Sequence, residues 1–219
     1  MFDTVFSYKD LFFRAIVLTL KLNGFAVLLG LPLAFILFVG RTSESRILRF
    51  ISGAAIEVVK GIPALVIMFW LYLCLPLVFD LRLSAESAAI GALTLNYSVN
   101  ASEVIRSAWS AVSRELSLGL KFYGIPRSAA VVFFEAPFLI SATMPGLLAQ
   151  LAATIKLSAV AAFIGVPEVF HATQSVIQQT YRPVELYTFL AFFYLILVLL
   201  ITTLEMTIHK YHQHSSVNV

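Results

Sequence analysis

Leu186–Ile208 reads LYTFLAFFYLILVLLITTLEMTI, with Glu205 as its single charge. A helix needs about 20 consecutive, mainly apolar residues to cross a bilayer. This stretch meets that demand, and its reading decides the rest of the chain. Working outward, four further segments qualify: Leu11–Val39, Phe50–Phe79, Ser87–Ile105 and Phe138–Val166. The second is interrupted by KGIP at Lys60–Pro63, and the fourth by Pro145. The composition agrees. Of 219 residues, 60% are hydrophobic and only 12% charged, too little polar surface for a soluble domain of this size. The expectation is an all-α polytopic membrane protein with about five transmembrane helices, forming one domain over 1–219.

The net charge of +3 gives no reason to expect a nucleic-acid partner. Cys74 is the single cysteine, so no intrachain disulfide can form. The N-terminal MFDTVFSYKD carries acidic residues and lacks a small-residue cleavage site, so it does not read as a cleaved signal peptide. Basic residues report orientation instead. The first connector holds Arg41, Arg46 and Arg49; the third holds Arg106, Arg114, Lys121 and Arg127; the tail holds Lys210. The remaining connectors are poor in Lys and Arg. The positive-inside rule then puts the N-terminus outside and the C-terminus in the cytoplasm. The region 107–137 falls on the cytoplasmic side. Within it, Gly119–Pro137 (GLKFYGIPRSAAVVFFEAP) is a basic, soluble-looking stretch between two apolar segments.

Ionisable and amide groups inside spans are costly and point to function. Glu57 and Lys60, three apart, can pair on a helix. Asn96, Asn100 and Glu103 share one helical face, which must meet protein or water. Glu103, beside Arg106, reads as structural. For Asn96 and Asn100 two readings stay open: hydrogen bonds between helices, or a lining for a polar solute. Gln150, Lys156 and Ser158 form a second polar set, in which Lys156 could meet a carboxylate on a solute or on a partner helix. The breaks at Pro63 and Pro145 are compatible with packing kinks or with a translocation path.

Four runs then carry a resemblance: RILRFISGAAIEVVKGIPALVIMFWLYLCLP, NASEVIRSA, GIPRSAAVVFFEAP and TIKLSAVAAFIGVPEVF. In order and spacing they resemble the permease subunits of ABC importers for polar amino acids, of the histidine, glutamine and arginine type. Glu57, Lys60, Gly61 and Pro63 look like the family's acidic–x–x–basic–Gly–x–Pro. Ser102–Arg106 looks like its Ala-Glu-Ile-x-Arg. Lys156, Ser158, Ala161, Ile164, Gly165, Pro167 and Glu168 look like its Lys-x-(Thr/Ser)-x-x-Ala-x-x-Ile-Gly-x-Pro-Glu. The resemblance implies an ABC importer permease fold that supplies the translocation path by alternating access. The implied partners are ATP-binding cassette subunits, a second permease subunit, an extracytoplasmic solute-binding protein, membrane lipid and a polar amino-acid-like substrate, in the bacterial inner (cytoplasmic) membrane.

Gly119–Pro137 resembles the family's cytoplasmic coupling signature, Glu-Ala-Ala-x-x-x-Gly with a Pro some 13 residues on. Gly124 and Pro137 fit. Leu118 stands where Glu is usual, Gly119 and Leu120 replace the alanines, and Glu115 comes three residues too early. Lys121 and Arg127 could supply other contacts, or a companion permease could carry more of the coupling, which favours a heterodimer over a homodimer. Gly119 and Gly124 have the spacing of a phosphate loop, but Ile125 and Pro126 follow where Lys and Ser/Thr are required. ATP is therefore expected on a partner subunit, with no catalysis and no cofactor in this chain. A secondary transporter or channel subunit is the alternative. The tail HKYHQH reads as a solvated end, not a metal site, and no Ser/His or His-pair arrangement falls within a span, so an intramembrane enzyme is disfavoured.

Overall fold

The computed structural model describes residues 3–122 and 136–217, and every element in them is helical. A short α1 (Asp3–Ser7) leads into α2 (Lys9–Thr42), which is followed by α3 (Arg46–Gly61). Next come α4 (Ala64–Phe69), a π-helical turn (Trp70–Cys74) and α5 (Leu75–Phe79). The long α6 (Ala85–Phe122) precedes α7 (Ala136–Ser158), which tightens into a 3-10 turn at Ala159–Ile164. After it come α8 (Val169–Thr180) and α9 (Pro183–Val217). Three stretches are each long and apolar enough to cross a membrane: Lys9–Thr42, Ala136–Ile164 and Pro183–Ile208. The expected second span is two helices, Arg46–Gly61 and Ala64–Phe79, set at 99°. The expected third lies within α6.

The bend has a local cause. Pro63 pushes the residue before it out of the helical region, and Ile62 is extended at φ −101°, ψ 126°. The widened turn at Trp70–Cys74 sits just before Pro76, whose missing N–H leaves one helical carbonyl without its donor.

Because both faces of α2 are apolar, polarity does not mark its inward side. Small residues do. Ala15, Ala26, Gly30 and Ala34 fall on the buried stripe with Phe12, Leu22 and Phe38. In lipid, helices associate by close packing rather than by hydrophobic burial, so small residues let backbones approach. At Gly30 an added Cβ would stand 2.8 Å from Tyr97 Cδ1, and at Gly146 it would stand 2.5 Å from Val104 Cγ1. These are the α2–α6 and α6–α7 crossings. The middle of α6 is correspondingly rich in small buried residues, among them Ala88, Ala89, Ala92, Ser98, Ala101 and Ser102. It is the central helix. That position removes the need for a lipid-facing surface and explains why its hydropathy is lower than that of its neighbours.

Three packed layers follow one another down the bundle. Phe12, Val169, Val176, Leu186 and Leu190 form the first. Leu22, Met68, Leu93 and Val166 form the second. Phe38, Tyr97 and Ile105 form the third, joined by Trp109 and Leu147. The first end is pinned by Glu185, whose carboxylate accepts from Thr4 N and Thr4 Oγ1, each at 2.9 Å. At the other end Arg41 lies over Gly53, and Ser52 over Gly40. Glu103 there bonds Arg106 Nη2 at 2.7 Å and lies within the electrostatic reach of Lys60 and Arg41. This second end is therefore basic. α9 starts beside Thr4 and runs away from it for 35 residues, about 52 Å.

Candidate functional site

The Lys156–Glu168 run folds into a polar elbow. Gly165 adopts the left-handed conformation at φ 84°. The amide of Val166 donates to Ala161 O at 3.2 Å and that of Gly165 to Ala162 O at 3.0 Å. This double closure is the usual way a helix ends on glycine. Just beyond it, fully buried Glu168 caps α8. Its Oε1 accepts from His171 N at 2.8 Å and its Oε2 from Tyr194 Oη at 3.2 Å. Burial pushes the Glu168 carboxyl up to about 7, against the lowering effect of these hydrogen bonds.

Two residues of α2 complete the elbow. Asn23 Nδ2 donates to Thr19 O at 2.8 Å and to Ser158 Oγ at 3.0 Å. Thr19 Oγ1 accepts from Val169 N at 3.2 Å. A buried polar group without a partner costs about 1–3 kcal/mol, so these bonds fix how α2, α7, α8 and α9 meet. One acceptor, Asn23 Oδ1, is buried without a partner. Thr19, Asn23 and Tyr194 are absent from the sequence-derived set. Thr19 and Asn23 carried a readable signal, two polar residues one turn apart in an apolar helix.

The second polar set divides. Ser158 is buried in the elbow, whereas Lys156 is exposed and lies on the open face of α7 with Ala149 and Ala153. Among the described residues no carboxylate pairs with Lys156. Gln150 is half-buried. On α6, Asn96, Asn100, Glu103 and Ser107 form a partly open polar stripe. Asn100 Nδ2 donates to Asn96 O at 2.8 Å and Asn96 Oδ1 at 3.3 Å. The two helices run antiparallel and cross at Val104 and Gly146, so Asn100 and Gln150 each sit one turn from the crossing, on the same side of it. Asn96 and Lys156 lie further along. Glu57 and Lys60, expected as a pair, are both exposed and do not bond each other. The charge of Lys60 instead adds to the positive field at Glu103.

Of the coupling set, Leu118, Gly119 and Lys121 fall on the last turns of α6, and Pro137 on the first turn of α7. Gly124 and Arg127 lie outside the described residues.

A bundle of membrane-length helices, broken by polar elbows and basic at one end, defines a membrane transport component. Residues 26–215 match the family described as the binding-protein-dependent transport system inner membrane component, and the chain belongs to it. The glutamine transport system permease protein GlnP of Escherichia coli (strain K12) is 28% identical over 189 residues, covering 84% of this chain and 85% of that protein. A putative glutamine transport system permease protein GlnP of Rickettsia conorii is 27% identical over 205 residues, covering 93% and 94%. Among solved structures, an amino acid ABC transporter crystallised with histidines matches with a TM-score of 0.89 at 25% identity, over 96% of this chain and 98% of that one. The inward-facing MetNI methionine ABC transporter matches in fold with a TM-score of 0.71 at 18% identity, over 94% and 97%. The fold is thus that of an ABC importer permease. Such a subunit is a transport part rather than a catalyst, works with an ATP-binding subunit, and resides in the inner membrane.

Proposed function

We propose that this chain is the permease subunit of an importer for a polar amino acid, and that it supplies half of a path operated by alternating access. It pairs with a second, different permease subunit. Separate ATP-binding cassette subunits dock at the basic, cytoplasmic end, and a solute-binding protein delivers substrate at the other. The N-terminus faces outward and the C-terminus faces the cytoplasm. The observation that carries this reading is Lys156. It is an ammonium on the open face of an apolar helix with no carboxylate beside it among the described residues, a costly arrangement in a membrane unless it faces a path or a partner. Asn100 adds to it, since its side-chain oxygen accepts no hydrogen bond among the described residues.

The test is uptake and ATP hydrolysis by the reconstituted complex with its binding protein. Asn100→Leu removes hydrogen bonds worth about 1 kcal/mol each, so transport efficiency should fall about fivefold or more while assembly is retained. Unchanged transport kinetics would reassign the stripe to packing. Gly124→Val tests the coupling stretch. In this reading Gly124 is the left-handed residue of the coupling signature, where a branched side chain is strained by roughly 1–2 kcal/mol. ATP hydrolysis should then lose its stimulation by loaded binding protein, with insertion intact. Normal stimulation would show that the stretch is only a connector.

A further inference from the structure

α3 is unlike the spanning helices. It seats on the basic end of the bundle, at 99° to Ala64–Phe79, with a protein-facing flank that also carries its charges and a bare apolar side. One side faces protein: Gly53 and Ile56 are buried, with Gly53 under the Arg41 guanidinium. A second side is bare and apolar, with Ile47 71%, Phe50 75% and Val58 60% exposed. Arg46, Arg49, Glu57 and Lys60 are exposed along the margin of the protein-facing side, on the same arc of the helix as Gly53. With Arg41 and the preceding Glu44, this corner holds four cations against two carboxylates. α9 exposes as much apolar surface, but no cationic edge runs beside it through Ile208.

We infer that α3 is an interfacial helix that holds anionic phospholipid of the adjoining leaflet, with Arg46 and Arg49 on the headgroup phosphates. The chemistry selects this occupant. A helix with an apolar face beside a basic edge fits the headgroup–acyl boundary, where its apolar face sinks about 5–10 Å and its cations meet anionic headgroups. A protein partner that used only the basic edge would leave Ile47, Phe50 and Val58 in water. The bend at Pro63 positions this edge. It sets α3 at 99° to Ala64–Phe79, which in this reading brings the excess of cations to a negative surface.

The intact complex should be titrated with phosphatidylglycerol and phosphatidylcholine and the bound lipid counted by native mass spectrometry. Each basic residue near an anionic surface is worth about a fivefold preference. The double variant Arg46→Gln/Arg49→Gln should therefore weaken the selectivity for phosphatidylglycerol by roughly tenfold or more. Arg46→Lys/Arg49→Lys, which keeps the charge, should retain it. Selectivity in the glutamine variant equal to that of the parent complex overturns the inference. So does dissociation of the ATP-binding subunit with lipid binding unchanged, since that result assigns the edge to a protein partner.

Discussion

Replacing Glu168 with leucine should prevent the permease from assembling. The substitution removes the cap of α8, worth about 1 kcal/mol. It leaves His171 N and Tyr194 Oη, which now bond the carboxylate at 2.8 Å and 3.2 Å, without that acceptor beside a side chain that is itself fully buried. Each orphaned donor costs about 1–3 kcal/mol. The total, roughly 2–6 kcal/mol because the cap and the His171 bond are one interaction, reaches the lower end of the whole stability of an ordinary domain. Yield of folded complex and its thermal midpoint in detergent are the measurements. Assembly with an unaltered midpoint would mean that the elbow does not hold the four helices together. Glu168→Gln keeps an acceptor and the shape, so it should assemble.

The same residue gives a pH dependence of known sign. Burial raises the folded-state carboxyl from 4.5 to about 7. The protonated form is therefore the one that folding favours. Its contribution is complete below the unfolded value and is lost as pH rises through about 7. The thermal midpoint of the parent protein should fall over that window, and that of Glu168→Gln should stay level.

Hydropathy made three of the membrane-length helices legible, and small residues within them made the crossings so in principle. What hydropathy could not supply was geometry set from a distance. KGIP announces a break, since Ile62 must be extended before Pro63, but the angle is not encoded there. The 99° turn is held by the seating of α3 on the end of α2, through Gly40 with Ser52 and Gly53 with Arg41. These are contacts between helices. Lys156 and Ser158 were grouped because they are near in sequence. Two steps along a helix turn them about 200° apart, so one is buried on Asn23 while the other is exposed. Tyr194 could not have been picked out, because a tyrosine in a span is unexceptional until a buried carboxylate is found beside it.

Gly146→Ala tests the α6–α7 crossing by the sign of its effect. In a helix interior, alanine is favoured over glycine by about 1 kcal/mol, so a loosely packed site would gain stability. Here the new Cβ would meet Val104 Cγ1 at 2.5 Å, Cγ2 at 3.4 Å and Cβ at 3.6 Å. The first methyl is in the way, and a β-branched side chain in a helix has no free rotamer to retreat into. Overpacking of this kind costs roughly 1–3 kcal/mol, enough to overcome the propensity gain and lower the thermal midpoint. Val104→Ala supplies the compensating change. It removes both methyls and leaves its own Cβ as the nearest of these atoms, at an ordinary 3.6 Å. The double variant should be more stable than the sum of the single effects predicts, with a coupling of about 0.5–3 kcal/mol. Transport should follow stability, because Asn100 and Gln150 each stand one turn from this contact and depend on it for their spacing. A stabilised Gly146→Ala protein, or additive single effects, would mean that the helices are not in close contact at this level and that the two amides are positioned by something else.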